Sequence, residues 1–264
     1  MQLFKNLIYA LSAVSVLTGC GPRDYSESFT AVTKDSVYEY LDGAAHYRFN
    51  IDLLEPLSDC RFADSINADV AEWLFRKPGL SVNDAMYEYI EEKIDAFRLD
   101  NDENRRYSLE EGYEPHFFDY EAVIDATLAT GCCRGVIGVD YVVYEYLGGA
   151  HGSTLVTCRN YSRKDGHLLG LDDVFRTGYQ DTLLAVLENR LLEKTGCTER
   201  RQLDEVGYFS DAEMFIPDNF RLKRDSVVFI FNQYDIAPYS TGITELAVAY
   251  RELPRKFVSS SVLD

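Results

Sequence analysis

The residue of this sequence that is best suited to acid–base chemistry is a histidine in a glycine-rich segment. The segment reads Gly148-Gly149-Ala150-His151-Gly152. Glycines let a backbone approach a ligand closely, and a neutral imidazole can act as a general base. The same pattern also suits a turn between two strands whose histidine hydrogen-bonds the neighbouring segment, and we favour this structural interpretation. We therefore predict Gly149 and His151 as candidate ligand-binding residues and assign no catalytic residue.

Other signatures of catalysis or metal binding are absent from the sequence. No Gly-x-Ser-x-Gly nucleophile elbow occurs, and His46, His116 and His167 form no His-x-x-x-His pair. The acidic stretch at residues 100–104 lacks the glycine and the distal glutamate of an EF-hand loop, so a solvated acidic face is expected there. The sequence therefore predicts no metal site and no cofactor.

A second segment, residues 231–242, combines loop-shaping residues with aromatic rings. Pro238 fixes a backbone φ angle and Gly242 permits a positive one, so a defined loop is expected between two strands. Tyr234 and Tyr239 can present amphipathic rings to a partner, as interface anchors do. Alternatively, the loop is folding architecture whose tyrosine hydroxyls cap local backbone. The candidate ligand-binding residues of this segment are Tyr234, Asp235, Pro238, Tyr239 and Gly242.

The first twenty residues have the pattern of a bacterial lipoprotein signal. Lys5 precedes a mostly apolar run at residues 7–17, which is too short to span a bilayer as a helix. Residues 17–20 read Leu-Thr-Gly-Cys and resemble a lipobox, in which Cys20 receives the lipid; the alternative is an ordinary signal peptide with a coincidental cysteine. We expect a signal at residues 1–20, a flexible tether at 21–34, and a lipoprotein anchored in the bacterial cell envelope, at the outer membrane.

The remaining cysteines give no metal or redox motif. They are five in number, so at least one thiol stays unpaired, and no Cys-x-x-Cys is present. We expect mostly buried free cysteines with at most one or two disulfides among Cys60, Cys132, Cys133, Cys158 and Cys197.

Charge and composition exclude several classes of protein. The 264 residues include 26 Lys and Arg against 44 Asp and Glu, which gives a formal net charge of −18. Such a chain repels a phosphate backbone and an anionic membrane surface, so nucleic-acid binding is not expected and membrane association requires the lipid. The hydrophobic fraction of 46% and the aromatic fraction of 13% are typical of a chain that folds around a core.

The hydrophobic pattern predicts the elements that must position these segments. Residues 35–54 are extended on both sides of an Asp42-Gly43 turn, and a helix is expected at 63–75. A second helix begins after Ser81, with Asp84 in a capping-box position, and runs for about five turns before it ends at residues 99–104. The second half contains strands at 117–130, 135–146, 153–162, 215–222, 226–231 and 244–250, and helices at 171–175 and 179–194.

This order of elements predicts an α+β fold: an antiparallel β-sheet with packed helices, in two subdomains. Long neighbouring strands joined by short turns, such as Lys164-Asp165-Gly166, favour an antiparallel meander over βαβ units. The predicted boundaries are residues 35–112 for an N-terminal α+β subdomain and 113–264 for a β-rich C-terminal domain.

Three motifs resemble the C-terminal domain of the RsiV-type, lysozyme-sensing anti-sigma factors. They are Gly148-Gly149-Ala150-His151, the turn Leu171-Asp172-Asp173-Val174-Phe175, and the run Tyr234-Asp235-Ile236-Ala237-Pro238-Tyr239 with Gly242, which leads into the last strand. This similarity covers residues 146–253. Residues 37–145 resemble, by layout, the N-terminal partner domain shared by RsiV and the peptidoglycan deacetylase PdaC.

The resemblance implies a cell-envelope binding module whose ligand is a lysozyme-like protein or peptidoglycan. RsiV-type factors have a sigma-binding segment and a membrane-spanning helix, and PdaC has a separate metal-dependent catalytic domain; none of these matches a segment of this sequence. We therefore predict a lipid-anchored binding protein without catalytic activity, whose acidic surface attracts a basic muramidase. Two alternatives remain: an enzyme that acts on cell-wall or surface glycan through His151, and a structural lipoprotein of an outer-membrane complex.

Overall fold

The computed structural model describes residues 25–133, 135–209 and 213–259. The predicted signal, Cys20 and residues 21–24 of the predicted tether lie outside the described residues. None of the described helices is long and apolar enough to cross a membrane.

Eight strands and five α-helices make up the described chain. The strands are β1 (Phe29–Tyr40), β2 (Ala45–Pro56), β3 (Tyr120–Leu128), β4 (Val136–Leu147), β5 (Ser153–Ser162), β6 (Phe220–Leu222), β7 (Ser226–Phe231) and β8 (Thr244–Ala249). The helices are α1 (Ala63–Trp73), α2 (Val82–Glu110), α3 (Leu171–Val174), α4 (Gln180–Thr195) and α5 (Arg200–Glu205). Every predicted helix and strand is present, and the predicted α+β class is confirmed.

The strands form one five-stranded sheet, in the order β1-β2-β3-β4-β5, and one three-stranded sheet, in the order β6-β7-β8. β1 and β2 pair antiparallel along twelve residues, and β6, β7 and β8 are also antiparallel. The pair β2 and β3 is parallel, which the expected meander did not include. The physical reason is the connection: α1 and α2 lie between these strands and supply the long crossover that a parallel pair needs.

The chain divides into two compact units that are not separated at one point. The first takes in the described residues up to Ala126 together with Val142–Ser153, and the second takes in Thr127–Tyr141 and the chain from Thr154 onward. β4 thus contributes residues to both units. The first unit therefore includes residues 113–126 and 142–153, which sequence analysis assigned to the C-terminal domain.

The core of the first unit is built by alternate residues of β2 and by α2. Tyr47, Phe49 and Ile51 are at most 2% exposed, as the period-two pattern of this strand predicts. The Phe97 ring of α2 lies 5.5 Å from the Tyr47 ring and 5.1 Å from the Tyr120 ring of β3, measured between centroids. Aromatic packing therefore holds α2 against the sheet.

Helix α2 continues through the predicted end at residues 99–104 and stops at Glu110, six residues later, because its polar turn has partners in the same unit. Asn101 is fully buried; its side chain accepts from the Phe118 N–H at 2.9 Å and donates to the Phe97 carbonyl at 3.1 Å. The Asp100 carboxylate accepts a hydrogen bond from the Tyr120 hydroxyl at 2.8 Å, and Asp102 accepts one from Tyr40. Asp100, Asp102 and Glu103 are exposed, as expected of a solvated acidic face, while Asn101 between them is buried.

Strand β1 begins earlier than expected. Residues 29–34, assigned to the tether from their polar composition, pair with the end of β2, from Phe29 opposite Pro56 to Lys34 opposite Ile51. Composition alone missed this pairing because an edge strand with an exposed face tolerates polar side chains.

The core of the second unit lies between α4 and the three-stranded sheet. Leu183, Leu187 and Leu191 of α4 are fully buried, at the helical spacing read from the sequence. Phe229 of β7 and Leu246 of β8 belong to the same apolar cluster. Helix α4 ends at Gly196, whose φ of 74° gives the left-handed cap that glycine adopts readily.

One boundary and one additional helix in this unit differ from the predictions. The strand expected at 215–222 is confined to Phe220–Leu222, since Pro217 lacks a backbone N–H for a ladder. Helix α5 was not predicted; the Gln202 side chain accepts from the N–H of Glu199 and so caps its first turn.

The five described cysteines are all free. Cys133 and Cys158 are buried, and the other three are half-buried. The expectation of free thiols agrees with this structure for all five, and that of burial for two of them.

Candidate functional site

The structure places the candidate residues in two loops that belong to different units. Gly149 and His151 lie between β4 and β5 in the first unit, in residues 148–152, which we call the glycine loop. The other five lie between β7 and β8 in the second unit, in residues 232–242, which we call the tyrosine loop. Each loop is therefore described within its own unit.

Backbone hydrogen bonds fix the first half of the tyrosine loop. The Asp235 carboxylate accepts from the Asn232 N–H at 2.7 Å, and the Asp235 N–H donates to the Asn232 carbonyl at 3.1 Å. The Tyr234 N–H donates to the Ala237 carbonyl at 3.0 Å, and Tyr234 itself has a φ of 70°. A left-handed residue other than glycine is uncommon, and for a bulky residue it indicates strain or function.

The second half of the loop is a short 3₁₀ turn framed by the two residues that sequence analysis chose. Pro238 begins it with a φ of −65°, and the turn covers Tyr239–Thr241. Gly242 closes it with a φ of 75°, and its N–H donates to the Tyr239 carbonyl at 3.0 Å. The conformation is thus the one that proline and glycine favour at these positions.

The loop brings two tyrosine rings close to each other. The centroids of Tyr234 and Tyr239 are 6.0 Å apart and the ring planes meet at 36°. Tyr234 is 65% exposed and Tyr239 is half-buried. Between them in sequence, Ile236 is 2% exposed, and its carbonyl accepts from the Phe209 N–H at 2.8 Å. The loop therefore combines a buried anchor, Ile236, with one exposed and one half-buried tyrosine.

Side-chain amides attach this loop to the edge strand β5, an arrangement that sequence analysis missed. Asn232 accepts from the Val156 N–H at 2.8 Å and donates to the Val156 carbonyl at 3.0 Å. Gln233 accepts from the Thr154 N–H at 3.3 Å, and Asn219, just before β6, accepts from the Cys158 N–H at 2.9 Å. The backbone N–H and C=O groups on the outer edge of β5 thus form hydrogen bonds with side-chain amides instead of with a further strand. The sequence signal for this arrangement was an asparagine directly before β6, Asn219, and another directly after β7, Asn232.

The glycine loop has a packing explanation for two of its three glycines. A Cβ at Gly152 would lie 2.3 Å from a carbon of the Tyr144 ring, and one at Gly148, whose φ is 75°, would lie 2.9 Å from Phe118. Gly149 has open space around it and no positive φ, so the fold does not require a glycine there. This difference makes Gly149 a useful position for testing ligand access.

His151 is exposed, and its Nδ1 lies 2.9 Å from the Gly152 carbonyl. The bond agrees with the structural interpretation of this histidine as part of a turn. Two other histidines have carboxylate neighbours within 3.1 Å: His46 beside Asp119 and His167 beside Asp165. Within residues 25–133, 135–209 and 213–259, no three His, Cys, Asp or Glu side chains are grouped so that they could hold a metal ion.

A charged cluster lies on β4, β5, β6 and β8 of the second unit. The Nε atom of Arg221 lies 2.9 and 2.8 Å from the two carboxylate oxygens of Asp140, and an Arg221 amino group is 3.6 Å from Glu245. Burial, together with the Asp140 carboxylate, raises the pKa of the neighbouring Cys158 thiol. A protonated, 6% exposed thiol is a poor nucleophile, so this cluster connects strands and offers no reactive cysteine.

Comparison with known proteins places the tyrosine loop inside a matched domain. The sequence profile of a family described as "Protein of unknown function (DUF3298)" matches residues 172–251. Peptidoglycan-N-acetylmuramic acid deacetylase PdaC of Bacillus subtilis (strain 168) is 25% identical over 117 residues, which are 44% of this chain and 25% of that protein. This chain thus spans about a quarter of the length of that curated relative.

Two crystal structures share the fold. A member of the DUF3298 family from Bacteroides fragilis has a TM-score of 0.80 at 24% identity, with 89% of this chain and 95% of the other covered. A DUF3298 family protein from Pseudomonas aeruginosa has a TM-score of 0.62 at 18% identity, with the same coverage. The expected similarity to PdaC is confirmed as weak sequence similarity, and the resemblance to RsiV-type factors stays a prediction.

Proposed function

We propose that this protein is a lipid-anchored binding protein of the bacterial cell envelope, that it lacks catalytic activity, and that its ligand contacts the tyrosine loop. The ligand is peptidoglycan or a basic, lysozyme-like protein. The observation that carries the proposal is the exposed Tyr234 ring, held on a left-handed residue beside Tyr239.

Backbone strain supports a binding role for this loop. A left-handed conformation costs a residue other than glycine roughly 1–2 kcal/mol, and such strain persists where the surrounding structure enforces it, often at ligand sites. Here Asp235 and Ala237 enforce it through the hydrogen bonds described above. The loop thereby presents a large apolar ring to solvent at a cost in stability.

Sequence similarity supports the cell wall as the place of action. The name of the relative from Bacillus subtilis describes a deacetylase of peptidoglycan N-acetylmuramic acid. A binding module shared with such an enzyme would keep this protein at the same polymer. The net charge of −18 agrees with a protein that is held at a membrane by lipid on Cys20 and attracts basic partners.

Co-sedimentation with purified peptidoglycan, and capture on an immobilised basic muramidase, test the proposal. The full-length chain with Cys20→Ser should bind one of the two, and the variant Tyr234→Gly/Tyr239→Ala should bind at least about tenfold more weakly, as the loss of one aromatic hot spot predicts. Glycine suits the positive φ at position 234, so the variant should fold. Tyr113→Ala is the matched control, because Tyr113 is a 67% exposed tyrosine of the first unit. Equal binding by all three proteins would contradict the proposal.

Two further measurements address the absence of catalysis and the lipid anchor. Incubation with peptidoglycan should release no soluble product; release that is lost in His151→Ala would favour the enzyme over the binding protein. In bacterial membranes, the unmodified chain should fractionate with the membrane and Cys20→Ser should be soluble. Membrane association unchanged by Cys20→Ser would contradict anchoring through that residue.

A further inference from the structure

We infer that the tyrosine loop binds a carbohydrate, namely the amino-sugar glycan chain of the cell wall, by stacking sugar rings on Tyr234 and Tyr239. The inference rests on the proposed function, because it names the ligand class of the same loop. Three features of the second unit carry it: the geometry of the ring pair, the polar groups around it, and the way the loop is held.

The ring pair has the dimensions of a small stacking surface. Its centroids are 6.0 Å apart, a separation similar to that of neighbouring sugar rings in a β-linked glycan, and the ring planes meet at 36°. Each sugar ring has one face of C–H groups that can pack on an aromatic ring, while its hydroxyls stay at the rim. A tyrosine ring buries at most about 250 Å², far less than the roughly 800 Å² per partner of a stable protein interface.

The polar groups of the loop suit a polyhydroxylated ligand. Asp235 is the one charged residue in residues 232–242, and one of its carboxylate oxygens is engaged by the Asn232 N–H. Ser240 and Thr241, next to Tyr239, are exposed hydroxyl residues. Hydroxyl and amide groups of a sugar can donate to the carboxylate and exchange bonds with these hydroxyls, whereas a phosphate would be repelled. An apolar surface with a few placed polar groups is the usual composition of a small-ligand site.

The loop is ordered before a ligand arrives. Asn232 and Gln233 bind the backbone of β5 at Val156 and Thr154, and Ile236, which lies between the two tyrosines in sequence, is buried. Sugars offer little apolar surface, so their binding depends on sites that lose little entropy on association. In a flexible loop, the entropy cost of ordering the chain would offset the small favourable free energy of sugar binding.

Calorimetric titration with the tetramer of β-1,4-linked N-acetylglucosamine tests the inference on the full-length Cys20→Ser chain. We expect a dissociation constant between about 10 µM and 1 mM, the range of a few kcal/mol that two stacked rings supply. Tyr234→Phe should retain most of the affinity, because the ring remains, and Tyr234→Gly should weaken it about tenfold or more. Tyr113→Ala should bind like the parent. Because the probe is neutral, the affinity should change less than about twofold between low and high salt.

Other outcomes separate this inference from the proposed function. If the tetramer does not bind, but the muramidase does and loses affinity as salt rises, the ligand is a basic protein: the inference is wrong and the proposed function stands. Tetramer binding that Tyr234→Gly leaves unchanged would move the sugar site elsewhere and also overturn the inference. If the tetramer, peptidoglycan and muramidase all fail to bind, both proposals are wrong.

Discussion

The pair formed by Arg221 and Asp140 offers a test of what holds the second unit together. Arg221 of β6 donates through Nε to both oxygens of Asp140 of β4, at 2.9 and 2.8 Å. Their side chains are only 14% and 19% exposed, and Glu245 of β8 lies 3.6 Å from the same guanidinium. The perturbations are Arg221→Met, Asp140→Leu and the double variant.

The expected losses are unequal because the two partners are left in different surroundings. Removal of one partner from a buried ion pair lowers the free energy of unfolding by about 3–5 kcal/mol. Because both side chains keep some exposure, we expect Arg221→Met to lower it by about 3 kcal/mol. Asp140→Leu should cost about 1.5 kcal/mol, the lower value for a hydrogen bond to a charged group, because Arg221 keeps Glu245. The double variant should be within about 1 kcal/mol of the parent, since apolar pairs replace buried ion pairs with little loss.

Urea unfolding at pH 7 of the full-length Cys20→Ser chain measures these differences, and hydrogen exchange of β4 and β6 amides reports on the second unit directly. The matched control is Arg201→Met. The Arg201–Glu199 pair has the same 2.8 Å distance, but its side chains are 77% and 60% exposed, so at most about 1 kcal/mol is expected. If Arg221→Met costs no more than Arg201→Met, or the double variant is the least stable, the reasoning from burial is refuted.

Three further predictions follow from local geometry. Gly149→Ala should stabilise the chain by about 0.4–1 kcal/mol, because the added Cβ has no atom within 4 Å. Gly152→Ala should destabilise the chain by about 1–3 kcal/mol, because its Cβ would overlap the Tyr144 ring. Thermal unfolding compares the two variants, and equal melting temperatures would contradict this description of the glycine loop. Because burial raises the pKa of Cys158, iodoacetamide should modify this thiol only after unfolding, as mapped by mass spectrometry; rapid native labelling would contradict it. The hydrogen bond from His167 lowers the pKa of Asp165 to about 2. The pair therefore stabilises its turn at pH values above the pKa that Asp165 has in the unfolded chain, and this stabilisation is lost as the pH falls toward 2. An NMR titration in which His167→Ala leaves the pKa of Asp165 unchanged would refute His167 as the cause.

The candidate site was partly readable from the sequence. Pro238 and Gly242 predict a shaped loop because each restricts or extends φ by its own covalent structure, and the loop has that shape. The left-handed Tyr234 could not be predicted, since tyrosine does not favour that conformation and only the bonds from Asp235 and to Ala237 impose it. The role of Asn232 was equally hidden, because its partner, Val156, is far away in sequence.

The sequence by itself determined the class of the fold and most of its elements. The leucines of α4 and the alternating residues of β2 reveal their own geometry, because side-chain periodicity is a property of a single segment. Tertiary structure decided the parallel pairing of β2 with β3, the extension of α2 through Asn101, and the amide contacts that fix the tyrosine loop to β5. Each of these depends on a partner distant in sequence, and local patterns contain no information about which distant group will satisfy a buried hydrogen bond.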